Sequence, residues 1–369
     1  MFIVYLQDMI TGSGTGGINA ILLGRLGLTA KQSLIVYDQL RQSVFEEENR
    51  VLRTVRDTLW NISPAIAYIP TGFIGGFLYF HLRMSAWISA ILLLCAAAVG
   101  HILFRYRFRS PPGPLFDEAK LEECLKRILD QHQVGRDTPM LEEHLPHCLV
   151  GVTATYAESL TSGCSLLRNY ASPFLDRCTI WQAAKVTMAS LGLFGPITIP
   201  SKRMTLRRTY VAGTLGINNP TGETLKEVHR LRVAKQDIGQ CKSPHVGCLI
   251  SIGTGKFGVL SLRDQLSSSG RSAMNKRLSD ITTRIVEDCE EEHRKQMDAW
   301  EDKPDGVYVR LNVEDGLQGV LEWKWSKNVE YMIKSHTETH YSNPNYDWQF
   351  NQVIHLLARR YEIRSDVTQ

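Results

Sequence analysis

The chain has no cysteines at C-x-x-C spacing; its eight (Cys95, Cys124, Cys148, Cys164, Cys178, Cys241, Cys248 and Cys289) are scattered along 369 residues. A chain that long buries enough apolar surface to fold without covalent staples, so reduced thiols and a cytosolic setting are expected. Charge of one sign is not in excess either: 42 Lys and Arg stand against 38 Asp and Glu, a formal +4. That balance argues against a nucleic-acid surface spread over the whole molecule. Internal repeats and low-complexity tracts are missing, and with hydrophobic residues at 43% and charged ones at 22% the chain reads as globular rather than disordered. The opening MFIVYLQDMI has no basic lead and is broken by Asp8, so no cleavable signal peptide is expected. Cys241, His245 and Cys248 lack a fourth ligand at metal spacing, and no metal site is expected.

Long uncharged runs are present. Residues 62–80, from Ile62 to Phe80, carry no charge, and neither do residues 84–104, from Met84 to Phe104; only His81, Leu82 and Arg83 separate them. About 20 helical residues cross the roughly 30 Å hydrocarbon layer, so the two runs predict a helical membrane hairpin. Gly72 and Gly76 form a G-x-x-x-G contact face in the first run. Arg50, Arg53 and Arg56 precede the pair and Arg105, Arg107 and Arg109 follow it, which places both hairpin ends on the cytosolic side. Asn61-Ile-Ser63, a formal glycosylation sequon, then stays unmodified.

Elsewhere the periodicity alternates. Phe2 to Leu6 reads as a buried strand, Ile18, Ile21, Leu22 and Leu26 as a helix stopped by Gly27, and a Thr29/Gln32 capping box opens a second helix. Strands are expected near 148–156 and 163–171, over 207–216 ending in a glycine turn, and over 247–255 ending in glycines, with helices over 121–129, 180–190 and 220–231. Strands alternating with helices predict an α/β fold with a largely parallel sheet. Beyond Val259 two or three polar helices, roughly 272–297, 326–336 and 347–361, flank one strand over 307–313.

Residues 12–17 read GSGTGG between a strand and a helix, a place where glycine permits a sharp turn and helix amides face an anion. Two chemistries fit. Gly12, Gly14 and Gly17 match G-x-G-x-x-G, with Asp38 further on in the place of a ribose-binding acid, as in a dinucleotide (FAD or NAD) site. The same turn can be a nucleophile elbow, G-x-S-x-G, in which a strained strand-to-helix corner presents a serine.

On the second reading the chain resembles the patatin-like phospholipase family, in its fungal-type members. Asp8, Ile10, Gly12, Ser13, Gly14, Thr15, Gly16 and Gly17 follow that family's elbow, and Leu23, Gly24, Arg25 and Leu26 its next helix. Trp181, Ala183, Ala184 and Thr187 match a W-x-A-A-x-x-T helix, the stretch from Val211 to Thr221 resembles the acid turn D-G-G-x-x-x-N-N-P, and Ser251 to Gly255 match a strand ending S-I-G-T-G. The resemblance covers residues 8–42 and 115–260. It implies a patatin-like three-layer sandwich, interrupted by the hairpin, and hydrolysis of phospholipid or acylglycerol esters at membrane lipid, without a cofactor. The domains expected are 1–49, 50–113 with the hairpin, 114–260, and a mainly helical 261–369.

The resemblance also implies a serine–aspartate dyad. Its nucleophile position is Gly14 and its acid position Ala212, so neither group is present, and the family's oxyanion loop D-G-G-G-x-R-G has no counterpart before Gly12. Gly12, Thr15, Gly16 and Gly17 remain as the substrate and oxyanion region. The expectation is a lipid acyl hydrolase relative with impaired catalysis. Ser13 reads as a turn serine facing away from the tip. His229, Asp237 and His245 read as surface residues, the run Glu46–Glu48 as a solvated face, and Asn218, Asn219 and Pro220 as the turn before a helix. SIGTGK is no phosphate loop, because Ile250 stands where its first glycine belongs.

Overall fold

Apolar residues at strand and helix spacing set the elements, and local caps set their ends. The computed structural model describes residues 9–45, 98, 114–144, 146–160, 163–171, 178–190, 192–200, 207–236, 246–256, 258, 278, 281–301, 303, 306–318, 320 and 326–367. Backbone contacts divide the chain into two units, Met1–Phe45 with Pro114–Gln369, and Glu46–Gly113; of the second, Ala98 is described.

In the first unit strand β1 (Met9–Gly12) turns into α1 (Thr15–Ala20), which runs on as a π-helical turn over Ile21–Arg25. The strand expected at Phe2 to Leu6 lies outside the described residues. Helix α2 (Ala30–Phe45) opens on the Thr29/Gln32 box, in which the Gln32 side chain accepts from Thr29 N and Thr29 Oγ1 accepts from Gln32 N. Val36, Leu40 and Val44, one turn apart, are its buried stripe. Helix α3 (Glu118–Gln131), capped by Asp117, buries Leu121, Cys124, Leu125, Ile128 and Leu129. The rings of Phe45 and Phe116 pack edge to face with centroids 4.8 Å apart, so the chain leaves this unit and re-enters it at neighbouring points.

Strands β2 (Leu149–Tyr156) and β3 (Cys164–Arg168) lead to helix α4 (Ile180–Met188), which starts at a second reciprocal box of Thr179 and Gln182. Strands β4 (Ile197–Pro200) and β5 (Arg207–Ala212) follow, then α5 (Thr221–Gln236). The sheet order is β1-β2-β5-β4, with β3 also on β2. Here the expectation of a largely parallel sheet needs correction. β1 and β2 are parallel, but β2–β3, β2–β5 and β4–β5 are antiparallel, making the sheet mixed. Residues 157–163 alone join β2 to β3 and 201–206 join β4 to β5, and connections that short link only antiparallel neighbours.

Alternation along β2 separates two faces. Val150, Val152 and Ala154 join the apolar core built with α1, α2, α3 and α4. On the opposite face Thr11 and Arg168, both level with Gly151, meet Thr224 and Glu227 of α5. Helices therefore cover both faces of the sheet.

After α5 come β6 (Cys248–Ile252), α6 (Glu290–Glu301) and β7 (Val307–Leu311); β6 and β7 form a separate parallel pair. Helices α7 (Lys327–Tyr341) and α8 (Pro344–Val367) end the described chain.

The membrane hairpin expected at residues 62–80 and 84–104 is not supported, and with it falls the placement of its two ends on the cytosolic side. No helix among the described residues is long and apolar enough to cross a membrane. The longest, α8, carries charges from Asp347 to Asp366, each costly in a hydrocarbon layer. Apart from Ala98, the two uncharged runs themselves lie outside the described residues.

Candidate functional site

The corner between β1 and α1 is tightly held. Gly14, at its tip, has φ 57° and ψ −131°, a backbone that an L side chain rarely adopts and glycine takes without strain. Its carbonyl accepts from Gly17 N at 3.0 Å and from the Thr187 hydroxyl at 2.8 Å; Ser13 O accepts from Gly16 N at 3.0 Å. Thr187 is fully buried on α4, whose Ala183 and Ala184 pack into the core. The small residues of the W-x-A-A-x-x-T helix thus bring its threonine to the elbow.

The acid position lies beside it. Ala212, at the C-terminal end of β5, is 1% exposed, pairs with Ala154 of β2 and donates its N–H to Ala189 O at 2.9 Å. Two residues on, Thr214 places its methyl Cγ2 3.1 Å from where a β-carbon on Gly14 would stand. The elbow tip and the acid turn are therefore neighbours in space, although positions 14 and 212 stand 198 apart in the numbering. What their geometry holds is a hydrogen at one position and a methyl at the other.

Ser13 does not fill the gap. Its Oγ is buried and has no hydrogen-bond partner among the described residues, and Thr153 Oγ1 on β2 is in the same state. Thr15 begins α1, while Gly12, Gly16 and Gly17 line the corner. The amides of Gly16 and Gly17 are already engaged by Ser13 O and Gly14 O.

The remaining residues singled out by sequence separate. Asp38 sits inside α2 with Arg41 Nε 3.3 Å away, not at the tip of a second strand, and no observation favours a dinucleotide there. His229 is exposed on α5, whereas Asp237, Cys241, His245, Glu46–Glu48 and Asn61 lie outside the described residues. Among the described residues no group of His, Cys, Asp or Glu is placed to hold a metal ion. In SIGTGK the amides of Gly253, Gly255 and Lys256 go to Leu311 O, Asn312 Oδ1 and Val313 O, which ties the loop to β7. Asn218 and Asn219 donate to Glu287 O at 3.0 Å and Cys289 O at 3.2 Å, and Asn219 Oδ1 accepts from the Thr221 hydroxyl at 2.5 Å. The Asn-Asn-Pro turn thereby anchors the acid loop to the C-terminal region.

One network escaped sequence reasoning. On the sheet face opposite the apolar core, Arg168 clamps Glu227 through two bonds of 2.7 and 2.8 Å, and Tyr170 donates to the same carboxylate at 3.0 Å. Burial alone would raise the Glu227 pKa, but the bonds from Arg168 and Tyr170 outweigh it and hold the carboxyl below its ordinary range. Burial, with the Glu227 charge added, pushes the Tyr170 phenol upward. The available signal was a single charged residue, an arginine, ending the CSLLR strand, but nothing local named its partner 59 residues away.

Comparison with known proteins bears on these positions. The family model described as patatin-like phospholipase matches residues 4–225, a span that includes the elbow, the α4 threonine and the acid turn. No curated protein matches the chain.

Proposed function

The chain belongs to the patatin-like phospholipase family, a class acting on lipid acyl esters, and we propose that it is a member in which ester hydrolysis is lost. The observation that carries this reading is the elbow tip itself: Gly14 keeps the strained corner but ends at Cα. In the class chemistry a hydroxyl at the tip attacks the acyl carbonyl, the neighbouring carboxylate takes its proton, and an acyl-enzyme forms. Here no oxygen stands at the tip to form that bond, and Ala212 offers no base to receive the proton.

The magnitude favours inertness over a slow enzyme. Removing an activated serine alone costs on the order of a millionfold in turnover. The neighbouring hydroxyls do not compensate: Thr187 spends its proton on Gly14 O, and Ser13 Oγ is buried with no hydrogen-bond partner among the described residues to act as its base. Gly12, Thr15, Gly16 and Gly17 remain the residues against which a lipid ester would lie.

The test uses the unaltered chain with phospholipid and acylglycerol esters, and with a fluorophosphonate probe. Release of fatty acid no faster than the blank, and no covalent adduct by mass spectrometry, is the expected result. Turnover at ordinary enzymatic rates, or an adduct on any residue, would overturn the reading.

A further inference from the structure

We infer that Thr214 crowds the elbow tip, so that a side chain at position 14 is accommodated better once residue 214 gives up its methyl group. The inference rests on the reading of Gly14 as the nucleophile position, but its first test does not depend on activity.

A β-carbon on Gly14 would lie 3.1 Å from Thr214 Cγ2, closer than carbon atoms ordinarily pack. A contact that close is harmless where one partner can retreat. Here the backbone is held on both sides. The Gly14 carbonyl is held by the Thr187 hydroxyl and by Gly17 N, so the tip cannot back away without breaking two hydrogen bonds. On the other side, Ala212 N is bonded to Ala189 O, and Ile217 N closes the turn onto Gly213 O at 3.2 Å. Gly213 itself lies flat on β2, where a β-carbon would come within 2.6 Å of Thr153 Cβ and 3.0 Å of the Thr153 backbone carbon. The acid loop is thus pressed against the sheet just before Thr214, which holds the backbone that carries the methyl.

Position 14 is therefore restricted twice, once by its backbone angle and once by Thr214. The angle alone does not forbid a side chain, since strained corners are kept where the surrounding structure enforces them. The methyl is a separate obstacle. The least crowded armed site combines Gly14→Ser and Ala212→Asp with removal of Thr214 Cγ2, which Thr214→Ser does while keeping the hydroxyl.

The first experiment is a thermal double-mutant cycle on the full chain with Gly14→Ala, Thr214→Ser and the pair. Thr214→Ser is expected to shift the melting midpoint little by itself, and to return about 2 °C or more of the loss caused by Gly14→Ala. An equal loss in both backgrounds overturns the inference. If Gly14→Ala leaves no folded protein in either background, the comparison moves to chains carrying Gly14→Ser and Ala212→Asp, read as the rate of fluorophosphonate labelling at residue 14. Labelling about tenfold faster with Thr214→Ser supports the inference. Equal rates, or no labelling with or without the methyl, overturn it. Hydrolysis by the unaltered chain would defeat the proposed loss of function and leave the thermal cycle untouched.

Discussion

At the scale of the residue, the elbow shows how much a side chain can position without reacting. Thr187 sits at the C-terminal end of α4 and spends its hydroxyl on the carbonyl of Gly14, 173 residues away. Replacing it by valine keeps the shape and removes the donor. Because Gly14 O retains its bond from Gly17 N, the expected cost of Thr187→Val is about 1 kcal/mol, measured by urea unfolding, while Thr187→Ser should cost less. The threonine was legible as part of a motif, since Trp181, Ala183, Ala184 and Thr187 stand at recognisable spacing. Its task was not, because a hydrogen bond to a distant carbonyl leaves no mark on neighbouring residues. Thr214 is a sharper case: from the sequence it is a small polar residue in a turn, and its effect exists only through contact with Gly14.

At the scale of the element, α5 is fastened to the sheet mainly by polar contacts. Its carboxylate Glu227 is 2% exposed and is met by Arg168 on β3, Tyr170 beyond it, and Arg230 one turn along its own helix at 2.6 Å. Glu227→Gln would leave the Arg168 charge buried without its counterion, and should cost about 3–5 kcal/mol by chemical denaturation at neutral pH. Glu227 also links stability to pH. Its folded pKa lies below the ordinary carboxylate value of about 4.3, so the pair's contribution is fully present above that value and is lost as pH falls through the lowered one. Between neutral pH and about pH 3 the parent chain should therefore lose more stability than the Glu227→Gln variant. Caps and periodicity made most elements visible in advance, as with the Thr29/Gln32 box and the Leu121 to Leu129 stripe. Strand β4 was missed because ITIP is four residues long and ends in proline, too short for alternation to register. Strand direction was missed for another reason: a hairpin and a crossover use the same strand residues and differ only in what joins them.

At the scale of the whole molecule, the family match and the folded unit do not end together. The match stops at residue 225, inside α5 and before Glu227. The acid turn is further tied to residues beyond it, with Asn218 and Asn219 bonded to Glu287 O and Cys289 O, and the Thr221 and Ser251 hydroxyls 3.2 Å apart. A chain ended after residue 225 would expose the α5 face of the sheet and orphan Arg168. It should show no cooperative thermal transition by circular dichroism, in contrast to the full chain.

The identities of the reacting positions are a covalent fact, and sequence alone determined them: glycine at 14 and alanine at 212 are what they are in any fold. Helix starts, buried stripes and the glycine corner were set in the same way, because each depends on residues within a turn or two of one another. Tertiary structure alone decided the mixed strand directions, the clamp of Arg168 on Glu227 and the methyl of Thr214 against the elbow. Those depend on which distant segments are brought within a few ångströms. That is fixed by the register and packing of the whole chain, which no short window of sequence contains.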